Sequence, residues 1–269
     1  MVQSDFETIR SVEIACSVIE TLQELDGGGI TEISNRTGHS KSTIYNHLQT
    51  LEENQLAAKE GDQYRLSVRF LDVASHVRNQ SGNYDVIRDE LDKAAKETGE
   101  VVQFGVEEHE KVGYLYKAQG NRAVQTISSV GTYQPMHSTA LGKALLAEFS
   151  NERVHEILDR QGMEQRTENT ITGREELFEE LADIRDRGYA IDDQENIRGL
   201  RCISACRWGR YHPRRSQRLG AVKSVQSGSA PRRATETHEE HGERHRTQQQ
   251  VLVTERTVDS QLPIGIPEA

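Results

Sequence analysis

Cys202, His137 and Asp192 carry the groups of a thiol nucleophile, a base and an orienting acid, although nothing in their spacing requires them to meet. Cys202 and Cys206 form a lone C-x3-C, which is weak as a metal motif, and with Cys16 they are too few for a disulfide framework. His238, His241 and His245 have ligand spacing for a helical face, but the segment supplies neither a helix nor groups to orient the rings. No metal site and no cofactor are therefore predicted. A second set suits non-covalent recognition. Ser40, Lys41, Ser42, Thr43, Tyr45, Asn46 and Gln49 lie around a stripe of Ile44, Leu48 and Leu51, and their hydroxyls, amides and ammonium suit phosphates and base edges. Asn46 and Gln49 are of the type that reads adenine, whereas Lys41 suits phosphate. Lys59 and Arg65 would stand beside the same DNA backbone.

These residues need a scaffold, and the local patterns provide one. Ile9, Val12, Ala15, Val18, Ile19, Leu22 and Leu25 recur at helical steps until Asp26-Gly27-Gly28-Gly29 ends the run. A short helix is expected from Thr31, as its cap, to the turn at Thr37-Gly38-His39, and Ser40 caps the next. Leu56–Lys59 and Gln63–Leu66 flank Glu60-Gly61-Asp62 as a hairpin. Together they form a winged helix-turn-helix over residues 1–66, the arrangement that puts a recognition helix into the major groove. A linker helix, Arg69 to Asn79, precedes a second domain. There helices are expected at Tyr84–Thr98, Leu141–Glu148, Glu152–Arg160 and Arg174–Arg187. Strands are expected at Val101–Glu107, Lys111–Gln119, Val124–Val130, Gly188–Asp193 and Leu200–Ala205. Helices on an antiparallel sheet make the class α+β.

The 269 residues carry a net charge of -10, an unusual sign for a nucleic-acid binder. The charge is uneven: residues 1–205 hold 22 Lys+Arg against 36 Asp+Glu, and residues 206–269 hold 11 against 7. Mean hydropathy is -0.73. No run nears the roughly 20 apolar residues of a membrane span, and the first residues lack a signal-peptide pattern, so a cytoplasmic protein is expected.

Three stretches resemble the IclR family of regulators: Ile30 to Leu51, Pro135 to Ala147, and Arg187 to Glu195 continuing through Gly199 to Ala205. The resemblance runs from about Ser11 to Ala205. It implies a winged helix-turn-helix, a linker helix (residues 67–82) and a GAF-like α/β effector domain with an antiparallel sheet (83–205). It also implies homodimers or tetramers on palindromic promoter DNA, controlled by a small organic or aromatic acid. Ala140, Leu141, Asp192 and Cys202 then line the effector pocket, with backbone amides at a helix N-terminus open to an anion and His137 and Ser138 as neighbours. Two alternatives stay open. One is a DNA-binding protein whose effector domain senses nothing; the other is a thiol enzyme using Cys202.

After Ala205 the family's last strand and closing helix are not recognised. Between Ala221 and Gln250 only Val222 and Val225 are aliphatics larger than Ala, which predicts disorder for residues 206–269 and an incomplete effector domain. One set of codons able to encode His238 to Arg246 would, read one nucleotide later, give a more helix-like product, so a frameshift just after Ala205, with residues 206–269 translated out of frame, is the hypothesis for the tail.

Overall fold

The computed structural model describes residues 7–80, 84–123, 128–207 and 219–226. The chain divides into two compact units, Met1–Ser81 and Gly82–Ala269.

In the first unit α1 (Arg10–Glu24), α2 (Ile30–Thr37) and α3 (Lys41–Glu53) surround one apolar cluster. Val18, Leu22, Ile33, Ile44 and Leu48 are each at most 1% exposed, because helical steps of three and four turn them to one side. Strands β1 (Gly28–Gly29), β2 (Ala57–Glu60) and β3 (Gln63–Leu66) close the cluster as an antiparallel sheet in the order β1-β3-β2. The glycine run thus does more than end α1, since Gly28 and Gly29 pair with Tyr64 and Gln63. Thr31 is not a cap: α2 starts one residue earlier, with Gly29 at its N-cap and no side-chain bond there. Gly38, at φ 73°, takes the left-handed position between α2 and α3 that a Cβ would strain. Helix α4 (Arg69–Asn79) follows, and none of its residues is buried.

The second unit holds a six-stranded antiparallel sheet. Helix α5 (Tyr84–Thr98) leads into β4 (Val101–Glu108), β5 (Lys111–Gln119) and β6 (Tyr133–Gln134). Helices α6 (Ala140–Ala147), α7 (Asn151–Gln161) and α8 (Arg174–Arg187) come next, then β7 (Ala190–Asp193), β8 (Leu200–Arg207) and β9 (Leu219–Gln226). The strand order is β6-β5-β4-β9-β8-β7. Alternation along β4 serves both faces: Val102, Phe104 and Val106 pack with Leu91 and Ala95 of α5, whereas Gln103 faces the cavity under α6. A second cluster joins α6, α7 and α8 to Val112 and Tyr114 of β5.

Two expectations are corrected here. The expected strand at Val124–Val130 falls partly on 124–127, outside the described residues; Ser128–Val130 are not strand, and β5 pairs with Tyr133–Gln134 instead. The tail was expected to be disordered from residue 206, yet Leu219–Gln226 lies in the middle of the sheet, bonded to β4 on one side and β8 on the other. Ladder hydrogen bonds on both edges hold a strand whose composition is too polar to announce it. The His238 to His245 run lies outside the described residues, as do residues 208–218 and the remainder of 227–269.

The start of α6 is built around a close approach. A Cβ on Gly142 would stand 2.3 Å from the backbone of Met136, which cannot move aside as a flexible side chain would. Gly142→Ala is therefore expected to lower stability by about 3 kcal/mol, although alanine is the better helix former. Chemical denaturation measures this; an unchanged midpoint would mean that the 135–139 turn yields freely.

Candidate functional site

The recognition helix α3 begins on a side-chain cap. Ser40 Oγ accepts from the Thr43 amide at 3.1 Å and lies 2.8 Å from the Thr43 hydroxyl. Burying Ile44, Leu48 and Leu51 leaves Lys41, Ser42, Tyr45 and Asn46 exposed, with Thr43 half-buried. Lys59 and Arg65 are exposed on the hairpin, Lys59 with its ammonium 5.4 Å from the centre of the Tyr64 ring. Among the described residues no ion pair engages Lys41, Lys59 or Arg65, whereas Arg36 is bound to Glu24. Gln49 is the exception within the expected set. Its amide donates to the Tyr64 hydroxyl at 3.1 Å and to Glu52 at 3.3 Å, so it ties the helix to the hairpin rather than standing free for adenine.

In the second unit Ala140, Leu141, Asp192 and Cys202 line one cavity of about 70 Å³. Helix geometry leaves the amides of Ala140 and Leu141 without intrahelical acceptors, and the Thr139 hydroxyl satisfies the next, Gly142, at 3.1 Å. Asp192 and Cys202 are directly paired across β7 and β8. Asp192 is 2% exposed, and its Oδ1 accepts from the amides of Glu195 at 2.7 Å and Asn196 at 3.3 Å. Burial, with the nearby Glu195 charge, still pushes its pKa up to about 7. Burial likewise raises the Tyr114 hydroxyl and the Cys202 thiol, the thiol well above its ordinary value, and Asp192 adds to both. Burial therefore favours the protonated forms of Asp192, Tyr114 and Cys202 in the cavity that Ala140 and Leu141 of the α6 N-terminus also line.

Several lining residues carried no signal that sequence reading used: Gln103, Tyr114, Ser128, Gln134, Arg166 and Asn196. Tyr114 follows from the alternation of β5, but Arg166 comes from a loop. That loop is strapped to the turn after β7, with the Thr167 hydroxyl donating to the Gln194 carbonyl at 2.7 Å and the Thr170 hydroxyl to the Glu195 carbonyl at 2.6 Å. Behind the pocket runs a buried ionic chain. Lys143 of α6 is 1% exposed; its ammonium lies 2.5 Å from Glu195 and 3.4 Å from Glu180, which Arg187 also holds at 2.8 Å.

The possible thiol enzyme finds no support in this geometry. His137 lines a different cavity and its Nε2–H donates to the Glu164 carbonyl at 3.0 Å, so that nitrogen is not available as a base for Cys202. Burial lowers the His137 pKa while holding Cys202 as the thiol, the opposite of an activated pair.

Comparison with known proteins gives the same outline. Residues 11–61 match the model described as IclR helix-turn-helix domain, and residues 83–216 match that described as Bacterial transcriptional regulator IclR C-terminal. The HTH-type transcriptional regulator KdgR of Dickeya chrysanthemi is 32% identical over 210 residues, which is 76% of this chain and 68% of that protein. The crystal structure of the Thermotoga maritima IclR superposes with a TM-score of 0.66 at 26% identity, covering 80% of this chain and 85% of the other. An IclR homolog from Microbacterium hydrocarbonoxydans, solved in complex with 4-hydroxybenzoate, has the same fold (TM-score 0.65, 21% identity, 79% and 88% covered). The chain accordingly belongs to the IclR family and is a DNA-binding transcriptional regulator, not an enzyme.

Proposed function

We propose that the chain acts in the cytoplasm as a homodimer, binding palindromic promoter DNA through α3 and the β2–β3 hairpin and changing state when a small organic acid enters each effector domain. One observation carries the sensing half of this reading: four residues named from the sequence, Ala140, Leu141, Asp192 and Cys202, line a single cavity at the N-terminus of α6. The complex of the Microbacterium protein with an aromatic acid is a property of that protein, and it supports an acid as the class of ligand here. The dimer is supported by α4, where Leu71, Val73 and Val77 are 68%, 47% and 46% exposed on a helix with no buried residue of its own. Such a helix gains an apolar partner most simply from a second copy. Acid binding would favour one of two conformations that differ in the spacing of the recognition helices. Strand β9, between β4 and β8, supports the sensing reading over one in which the sheet lacks its last strand.

Selection of bound duplexes from a randomised pool, followed by sequencing, tests the DNA half. The full chain is expected to enrich a pseudo-palindrome whose half-sites lie about one helical turn, or a multiple of it, apart. Asn46→Ala should relax preference at one position per half-site, worth about 1–3 kcal/mol. A pool left without any enriched sequence would overturn this reading.

A further inference from the structure

The reading head is short of positive charge. Residues 1–66 hold five Lys+Arg against eleven Asp+Glu, and Arg36 is already bound to Glu24. Attraction to phosphates supplies the sequence-independent affinity for DNA, so here it rests on a few side chains that must be well placed. Lys59 and Arg65 are the cations of the β2–β3 hairpin, but the turn between its strands carries Glu60 and Asp62, both exposed. A hairpin tilted towards its turn would meet the duplex with carboxylates and not with Lys59.

Four-residue strands hold little orientation of their own, and Tyr64 supplies it. Tyr64 stands on the central strand, paired with Gly28 of β1 and with Lys59 of β2. Its ring is 1% exposed within the apolar cluster of α1, α2 and α3. Directly opposed residues of an antiparallel pair share a face. Lys59 therefore runs its apolar stem towards that ring and ends in solvent, with the ammonium 5.4 Å from the ring centre. The hydroxyl of the same tyrosine accepts from the Gln49 amide of α3 at 3.1 Å, and that amide also donates to Glu52 at 3.3 Å. One buried side chain thus joins the recognition helix to the lysine of the hairpin.

Resting on the DNA reading above, we propose that Tyr64 and Gln49 are positioning residues for DNA binding: the hydrogen bond between them fixes the hairpin against α3 so that Lys59, and not the acidic turn, meets a backbone phosphate. The pair adds affinity for every sequence alike, because the contact that it secures is to phosphate, and base choice stays with the exposed residues of α3.

Fluorescence anisotropy on the full chain tests this with two probes, a duplex bearing the pseudo-palindrome enriched above and sheared genomic DNA, over a range of salt. Tyr64→Phe removes only the hydroxyl, and Gln49→Met removes the amide at nearly constant length; melting curves show that each variant is folded. Each is expected to weaken both probes by the same factor, about two- to tenfold, and to lower the salt slope by about one per protomer. The double variant should bind no more weakly than either single one, because both changes break one bond. Lys59→Gln should lower the slope alike, and adding Tyr64→Phe to it should cost nothing further. A preference lost at one base position in Gln49→Met and kept in Tyr64→Phe would put Gln49 on a base edge and overturns the inference. Folded variants with the affinity and slope of the parent overturn it as well, and both results leave the DNA reading standing. A parent chain that binds neither probe overturns both.

Discussion

Lys143→Met is expected to destabilise the effector domain by about 3–5 kcal/mol at neutral pH, among the largest effects of any single change outside the apolar core. The reason is the company that Lys143 keeps. Its ammonium is the cation nearest Glu195, a carboxyl that burial already pushes towards its protonated form and whose Oε2 is enclosed without a hydrogen-bond partner. Removing the cation leaves a buried carboxylate with nothing to offset its lost hydration. Methionine keeps most of the volume, so the loss is electrostatic and not a cavity effect. Two controls separate these causes. Glu195→Gln in the Lys143→Met background should recover most of the stability, because an amide replaces the uncompensated charge. The penalty should also shrink as pH falls, because Glu195 then takes up a proton. Guanidinium denaturation of the parent and the two variants at two pH values measures all of this. A Lys143→Met midpoint within 1 kcal/mol of the parent would mean that Glu195 is neutral or reached by water.

That ionic chain also shows where sequence reading stops. Lys143, Glu180, Arg187 and Glu195 come from α6, α8 and the turn after β7, and no local pattern says that four charged residues so far apart converge, two of them buried and two partly exposed. The helices were legible because their signal is local. Ile44, Leu48 and Leu51 fall on one face of α3, and all three are buried. Asp192 and Cys202, ten positions apart, meet because an antiparallel turn returns β8 against β7. Their expected place in a pocket came from family resemblance, which carries tertiary information that spacing alone does not. Gln49 has a type that suits a base edge, while the hydroxyl that its amide bonds here, on Tyr64, lies on a hairpin fifteen residues away, which spacing does not announce. Strand β9 was missed for a further reason. A count of aliphatic residues over thirty positions averages an eight-residue strand into polar surroundings, and its support comes from backbone bonds to β4 and β8 that hydropathy cannot register.

Asp192 sets the pH behaviour of the pocket. Its pKa of about 7 in the folded chain stands above its ordinary value of 3.8, so the native state holds a proton that the unfolded state has released. Its contribution to stability is full below about pH 4, declines as pH rises, and is lost once pH passes about 7, where the ionised carboxylate sits buried near Glu195. At 1.36 kcal/mol per unit the loss is up to about 4 kcal/mol. Asp192→Asn cannot ionise but can still accept from the Glu195 and Asn196 amides, so it should equal the parent at pH 4 and exceed it by about 2–4 kcal/mol at pH 8. The same proton enters ligand binding. An acid bound beside Asp192 favours its neutral form, so affinity should fall about tenfold per pH unit above 7 in the parent and stay nearly flat in Asp192→Asn. Denaturation and calorimetry across pH 5–9 measure both slopes. Parallel curves for parent and variant would show that Asp192 remains ionised in the fold, and the pocket would then repel the anions it is proposed to receive.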